Sequence, residues 1–272
     1  MCPNFKILGI DLYTVFLCVG IIAALLTFRI FSDKKKMYWK LQNFTVITGV
    51  VSIIFGYGSA VLFQGLYNFL ADTSKGFVIN NATGATFYGG LIGGAACFLL
   101  VYFGIGTFIF EDKIHVKGFF TVANIGAASI AIAHGFGRLG CLMAGCCRGA
   151  ETDAWYGVYF VDENIKAVPI QLFEAIFLFA LFGFFCYRII KNKSCNLPLY
   201  MMIYGVWRFF VEFFRDDDRG ATIVSFLTPS QLVAILMILG SIGLFFGERY
   251  LEKKQSLVGS NEYPKEDAKN EG

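Results

Sequence analysis

The stretch GFFTVANIGAASIAIAHGFGRLGCLMAGCCRG, Gly118 to Gly149, decides how the chain is read. From Gly118 to Ala133 it is an uncharged apolar run, making up most of the about 20 such residues that a helix needs to cross a bilayer. It then runs into a dense polar group of His134, Arg138, Cys141, Cys146 and Cys147, interleaved with glycines. An apolar span does not end this way without a reason. The other spans are therefore expected to be arranged around this end.

Working outward, six more apolar runs of span length appear, so the expected spans are roughly 10–31, 44–70, 85–110, 118–138, 169–190, 197–215 and 226–247. The bulk composition agrees: 56% of the 272 residues are hydrophobic, 31 are Phe, only 16% are charged, and mean hydropathy is +0.61. A soluble domain carries roughly a quarter charged residues. Long uncharged runs specify helices, since barrel strands would read as short alternating segments. The expected fold is an all-α membrane protein with seven transmembrane helices, residues 1–252 forming one domain and 253–272 a disordered tail. Net charge is +3, so no nucleic-acid partner is implied.

Lysine and arginine set the orientation. Lys34, Lys35, Lys36 and Lys40, then Lys113 and Lys117, then Arg188, Lys191 and Lys193, then Arg249, Lys253 and Lys254 all fall on one side of a seven-span chain. That side is taken as cytoplasmic, with the N-terminus outside and the C-terminus inside. The segment from Leu139 to Val168 is expected as an external loop, with TDAWYGVYF as an interfacial element.

Ionisable groups within spans are costly and mark function. In YGVWRFFVEFFRDDDRG, Tyr204 to Gly220, Tyr204, Arg208 and Glu212 recur every fourth residue and Arg215 follows on nearly the same face. Arg208 lies eight residues before Asp216, about 12 Å below an outer helix end there. Two readings stand: a structural Arg208–Glu212 pair, or a guanidinium that binds an anion through its fork while Glu212 holds it. Glu174 is a second span acid, sharing a face with Gln171, after Pro169 in the first turn. In FYGGLIGG, Phe87 to Gly94, the glycines suit close helix packing or bare backbone facing a lipid phosphate beside Tyr88. His134 and the three cysteines admit a metal, a redox thiol or plain packing.

These blocks, in this order, resemble the prolipoprotein diacylglyceryl transferase family over nearly the whole chain. The resemblance is carried by Tyr13, by FYGGLIGG, by Gly137-Arg138-Leu139-Gly140, by Pro169, Gln171, Leu172 and Glu174, by Tyr204, Arg208, Glu212, Phe213 and Arg215, and by Ser230, Gln231 and Leu232. It implies transfer of a diacylglyceryl group from phosphatidylglycerol to the lipobox cysteine of a prolipoprotein signal peptide, releasing glycerol 1-phosphate, in a bacterial plasma membrane with the site toward the outer leaflet. Arg208, Tyr204, Glu212 and Tyr88 are the catalytic residues expected from it, with His134, one turn before Arg138, expected to substitute for a family histidine that this chain lacks. Arg138, Gly137, Gly140, Tyr13, Gly89 and Gly90 would contact phosphatidylglycerol, and no metal or organic cofactor is expected.

The chain departs from the family pattern after Gly140. Cys141, Ala144 and Cys146 stand where the family has two asparagines and a glutamate, and Tyr88 where many members have histidine. The departures leave a thiol role open for Cys141, Cys146 and Cys147. They also leave open a headgroup transferase with another acceptor, a Cys/His-based redox or metal-binding membrane protein, and a transporter built on the charged stripe.

Overall fold

A computed structural model describes residues 6–7, 9–80, 83–161, 164–215 and 227–258. Among these, seven helices are long and apolar enough to cross a membrane. They are α1 (Leu12–Lys34), α2 (Trp39–Ala71), α3 (Phe87–Leu99, extended by a π-helical turn Leu100–Ile105 and by Gly106–Ile109), α4 (Ile114–Ala144), α5 (Ile170–Ile190), α6 (Asn196–Val211) and α7 (Pro229–Val258). Two antiparallel pairs of short strands complete the elements, β1 (Lys6–Ile7) with β2 (Ile10–Asp11) and β3 (Val158–Phe160) with β4 (Ile165–Ala167). The second pair is what TDAWYGVYF becomes, with Trp155 almost fully exposed beside it.

Several boundaries differ from the expectation. α4 continues past Arg138 to Ala144, because Leu139, Leu142 and Met143 prolong its apolar pattern and no residue breaks it before Gly145. The loop expected from Leu139 thus begins six residues later, and Cys141 is helical. Conversely, α6 stops at Val211 and tightens into a 3-10 turn, Glu212–Phe214. Arg208 therefore occupies the last α-helical turn rather than a depth of two turns, and Arg215 is extended instead of continuing the stripe. Pro169 caps α5 from just outside its first turn. The acidic run Asp216 to Asp218, Arg219, and residues 259–272 of the expected tail lie outside the described residues, while α7 itself runs on to Val258.

The chain forms two compact units, residues 35–119 and residues 1–34 with 120–272. In the first, α2 and α3 pack as a close hairpin. A Cβ on Gly89 would stand 2.6 Å from Phe63 Cβ, and one on Gly93 2.2 Å from Ser59 Oγ, so only glycine lets the two backbones approach this far. Ser59 Oγ uses that proximity to donate to Gly89 O at 2.9 Å.

In the second unit, α1 lies along α4, with Gly20 against Ala133 and Gly140 against Tyr13. α6 packs along α7, where Gly205 faces Ile238. At the end of this unit that carries Arg188 and Arg249, buried Glu248 accepts from Asn124 Nδ2 at 2.6 Å and from the Cys195 N–H at 3.0 Å, tying α4, α6 and α7 together. A cleft of about 390 Å³ lined by Arg188, Cys195, Phe245 and Arg249 opens beside that lock, at the opposite end from the groups considered next.

Candidate active site

The start of α1, the end of α4, the start of α5, the end of α6 and the start of α7 bring their polar side chains together in the second unit. Glu174, on the second turn of α5, is fully buried. An isolated carboxylate there would be prohibitively costly, and it persists because it is paired. Arg138 Nε lies 3.0 Å from Glu174 Oε2, a close ion contact whose N–H is not aligned as a hydrogen bond. The other oxygen, Oε1, accepts from Tyr204 Oη at 2.7 Å.

The phenol has one hydrogen, and it is given to Glu174. His134 Nε2, 3.4 Å from the same phenol oxygen, is then the donor of that contact, and Nδ1, 3.2 Å from Tyr200 Oη, is the acceptor. The network thereby assigns the Nε2–H tautomer and a directed chain: Tyr200 to His134 to Tyr204 to Glu174, ending at Arg138. The His134 and Tyr204 rings meet edge to face at 4.8 Å, and the Tyr200 and Tyr204 rings stack.

One turn beyond Tyr204 is Arg208, also buried. Its Nη2 donates to Glu212 Oε2 at 2.7 Å and to Ser230 Oγ at 3.0 Å. Thr228 Oγ1 donates to the other Glu212 oxygen at 3.0 Å, and Arg215 Nε stands 3.9 Å from Oε2. Thr228 and Gln231 cap α7 reciprocally: Thr228 N–H donates to Gln231 Oε1 at 3.0 Å and Gln231 N–H to Thr228 Oγ1 at 3.2 Å, with Pro229 first in the helix. Glu212 is thus fixed from both sides, and the guanidinium with it. Arg208 Nη1 is buried and has no hydrogen-bond acceptor among the described residues. Arg208 stands one turn along α6 from Tyr204, whose phenol donates to the same carboxylate that Arg138 faces.

Of the residues singled out from sequence, Arg138, His134, Tyr204, Arg208 and Glu212 meet here. Gly140 touches Tyr13, which is partly exposed at the start of α1, and the Gly137 backbone next to Arg138 is uncovered. Tyr88, Gly89 and Gly90 open α3 in the other unit, where both glycines pack against α2. Four participants carry more weight than the sequence reading gave them. Glu174 was visible as a span acid but not as the centre. Tyr200 extends the every-fourth-residue stripe backward from Tyr204. Thr228 and Ser230 are announced by Thr-Pro-Ser-Gln, a helix-start signature.

The cysteines follow from how α4 ends. Gly145, at φ +74°, closes a Schellman turn: its N–H donates to Leu142 O at 3.2 Å and the Cys146 N–H to Cys141 O at 3.2 Å. Cys147 is also left-handed, at φ +64°. The three Sγ atoms lie within 4.8 Å of one another, and all three thiols are free. Hydrogen bonds from Cys141 and Cys146, and then from the Arg215 guanidinium, hold the Cys147 thiol below the ordinary thiol range, against burial.

A family model described as Prolipoprotein diacylglyceryl transferase matches residues 3–247. A Clostridium perfringens protein named phosphatidylglycerol--prolipoprotein diacylglyceryl transferase 2 is 34% identical over 259 residues, covering 88% of this chain and 92% of its own. A Clostridium tetani protein named phosphatidylglycerol--prolipoprotein diacylglyceryl transferase is 31% identical over 262 residues, covering 90% and 97%. A similarly named Dehalococcoides mccartyi protein is 24% identical over 266 residues, covering 92% of each. The chain belongs to the prolipoprotein diacylglyceryl transferase family and is a multi-pass bacterial membrane protein.

Proposed function

We propose that this chain transfers a diacylglyceryl group from phosphatidylglycerol to the lipobox cysteine of a prolipoprotein signal peptide, releasing glycerol 1-phosphate. The acceptor sulfur forms a bond to the diacylglyceryl carbon as the carbon–oxygen bond to phosphate breaks. The phosphodiester of the lipid carries one negative charge and the departing monoester approaches two, so fixed cations in a water-poor site stabilise the transition state more than the ground state. The observation that carries the reading is the buried Arg208 Nη1, without an acceptor among the described residues and held by Glu212 and Ser230, one turn from the Tyr204 that joins the Glu174–Arg138 pair. A buried donor without an acceptor calls for a ligand.

In this scheme Tyr200 swings its hydroxyl away from His134 Nδ1, that nitrogen takes the acceptor's proton, and Glu174 stabilises the resulting charge through Tyr204. Tyr13, Gly137 and Gly140, beside Arg138, contact the lipid in this scheme, and Tyr88, Gly89 and Gly90 of the other unit are assigned to it by the family pattern alone. Within the unit that holds the site, the basic helix ends at Lys34, Arg188 and Arg249 lie opposite to it, which supports an N-terminus outside, a cytoplasmic C-terminus and a site toward the outer leaflet.

The test is transfer by the purified chain in detergent from phosphatidylglycerol to a lipobox peptide, read as the mass gain of the peptide. The parent is expected to modify the cysteine. Arg138→Ala and Arg208→Ala are each expected to abolish transfer while accumulating normally. Full transfer by either variant overturns the role given to that arginine. An inactive parent whose expression also fails to restore lipoprotein lipidation in a strain depleted of its own transferase overturns the acceptor.

A further inference from the structure

We propose that Cys141, Cys146 and Cys147 form a three-thiolate site for a thiophilic metal cation of the Zn2+ or Cu+ class, set on the end of α4 one turn beyond Arg138. The backbone builds the site. A Schellman turn brings the side chain of the residue after its glycine back onto the residue five positions earlier, and here those two residues are Cys146 and Cys141. Cys146 Sγ accordingly reaches Cys141 O at 3.6 Å. The left-handed conformation of Cys147 is one that few side chains adopt, and it delivers the third sulfur to the same point.

The dimensions suit an ion. Sulfur–metal bonds of about 2.3 Å in a tetrahedral zinc site place the sulfurs roughly 3.8 Å apart. The observed limit of 4.8 Å requires the thiols to move inward by about an ångström or less to reach that spacing. Soft thiolate donors select this class of metal over magnesium or calcium. Three thiolates around Zn2+ carry a net charge of −1, and Arg215, whose side chain is 2% exposed and which contacts Cys147, offsets it. Arg215 is held in place by backbone pairing of Gly149 with Arg215 and by the Ala150 N–H on Phe214 O at 3.2 Å. A disulfide engages two sulfurs and strands the third, whereas an ion uses all three.

Three protein ligands leave one tetrahedral position open. An exogenous thiol enters there as a thiolate: the sulfur–metal bond forms, bound water leaves, and the thiol proton passes to His134, the base of the transferase scheme. This second step rests on the transferase reading, since it supplies the acceptor thiolate next to the lipid phosphate. The metal site itself does not rest on that reading.

The test is titration of the full-length, reduced protein in detergent micelles with Co2+ under anaerobic conditions. The expected result is one equivalent bound, with sulfur-to-cobalt charge-transfer absorption. A variant carrying Cys141→Ser, Cys146→Ser and Cys147→Ser is expected to lose that absorption at least tenfold, while a Cys18→Ser, Cys186→Ser control retains it. Parent protein that shows no such absorption, or a triple variant that equals it, overturns the site. So does an intramolecular disulfide among the three that re-forms in air and blocks uptake of Co2+ by the protein as isolated. Adding a lipobox peptide is expected to strengthen the absorption of the cobalt protein, and a Cys→Ser peptide is not. Equal response to both overturns the thiol step alone. Lipid transfer by protein that binds no Co2+ sinks the metal site and leaves the transferase reading standing. Cobalt binding without lipid transfer does the reverse.

Discussion

Replacing Glu174 by Gln separates an anion-binding site from a structural ion pair. Gln is nearly isosteric and still accepts from Tyr204, but it removes a buried negative charge 3.0 Å from Arg138. Breaking a buried pair this way costs about 3–5 kcal/mol of stability when nothing replaces the lost charge. A lipid phosphate does replace it. With a carboxylate–phosphate separation of roughly 6 Å and an effective dielectric constant near 20, the repulsion relieved is ~3 kcal/mol, an upper bound on the order of 100-fold in affinity. Turnover moves the other way, because the chain from His134 through Tyr204 then ends on an amide that stabilises no proton. General-base catalysis contributes about 10²–10⁴-fold, so a fall of that order in kcat is expected. The assay pairs transfer kinetics with thermal unfolding in detergent across a phosphatidylglycerol series. The lipid-free variant is expected to melt lower than the parent, to gain more from added lipid, and to show a lower KM with a much lower kcat. A variant with raised KM and kcat within about twofold of the parent refutes the placement of Glu174 between the cation and the proton chain.

Tyr204→Phe removes the donor to Glu174 and the acceptor for His134, leaving a buried carboxylate oxygen unsatisfied at about 1.5–3 kcal/mol; both melting temperature and kcat are expected to fall, with Tyr200→Phe milder in each. Arg208→Lys keeps the charge beside Glu212 but loses the spare Nη1 donor, and a drop of roughly 10²-fold in kcat is expected from transfer assays, against little change if the pair is only structural. Thr228→Ala removes the cap of α7 and a hydrogen bond to Glu212, at about 1 kcal/mol for the cap alone, whereas Thr228→Ser preserves both; thermal unfolding distinguishes them. Gly93→Ala places a Cβ 2.2 Å from Ser59 Oγ and is expected to destabilise the chain by about 1–3 kcal/mol, with partial rescue by Ser59→Gly.

Sequence alone determined the seven helices, because the length of an uncharged apolar run is a local property that the bilayer thickness turns directly into a span. It also determined that Arg208 is held by Glu212, because residues four apart on a helix are neighbours whatever surrounds them. That α3 packs closely on a neighbour was readable from FYGGLIGG for a similar reason, since small residues repeated every fourth position make one flat stripe, while the structure supplies α2 as that neighbour. Only the tertiary structure decided that Glu174 joins Arg138 to Tyr204, because three different helices must cross at one height for those groups to meet. It also decided that the three cysteines share one point. Vicinal Cys146 and Cys147 in an extended loop would point apart; a helix carried on to Ala144 and closed by a left-handed glycine folds them back onto Cys141. Where a helix stops is set by a balance of a few backbone hydrogen bonds against chain entropy, and that balance is settled by packing that no run of residues displays.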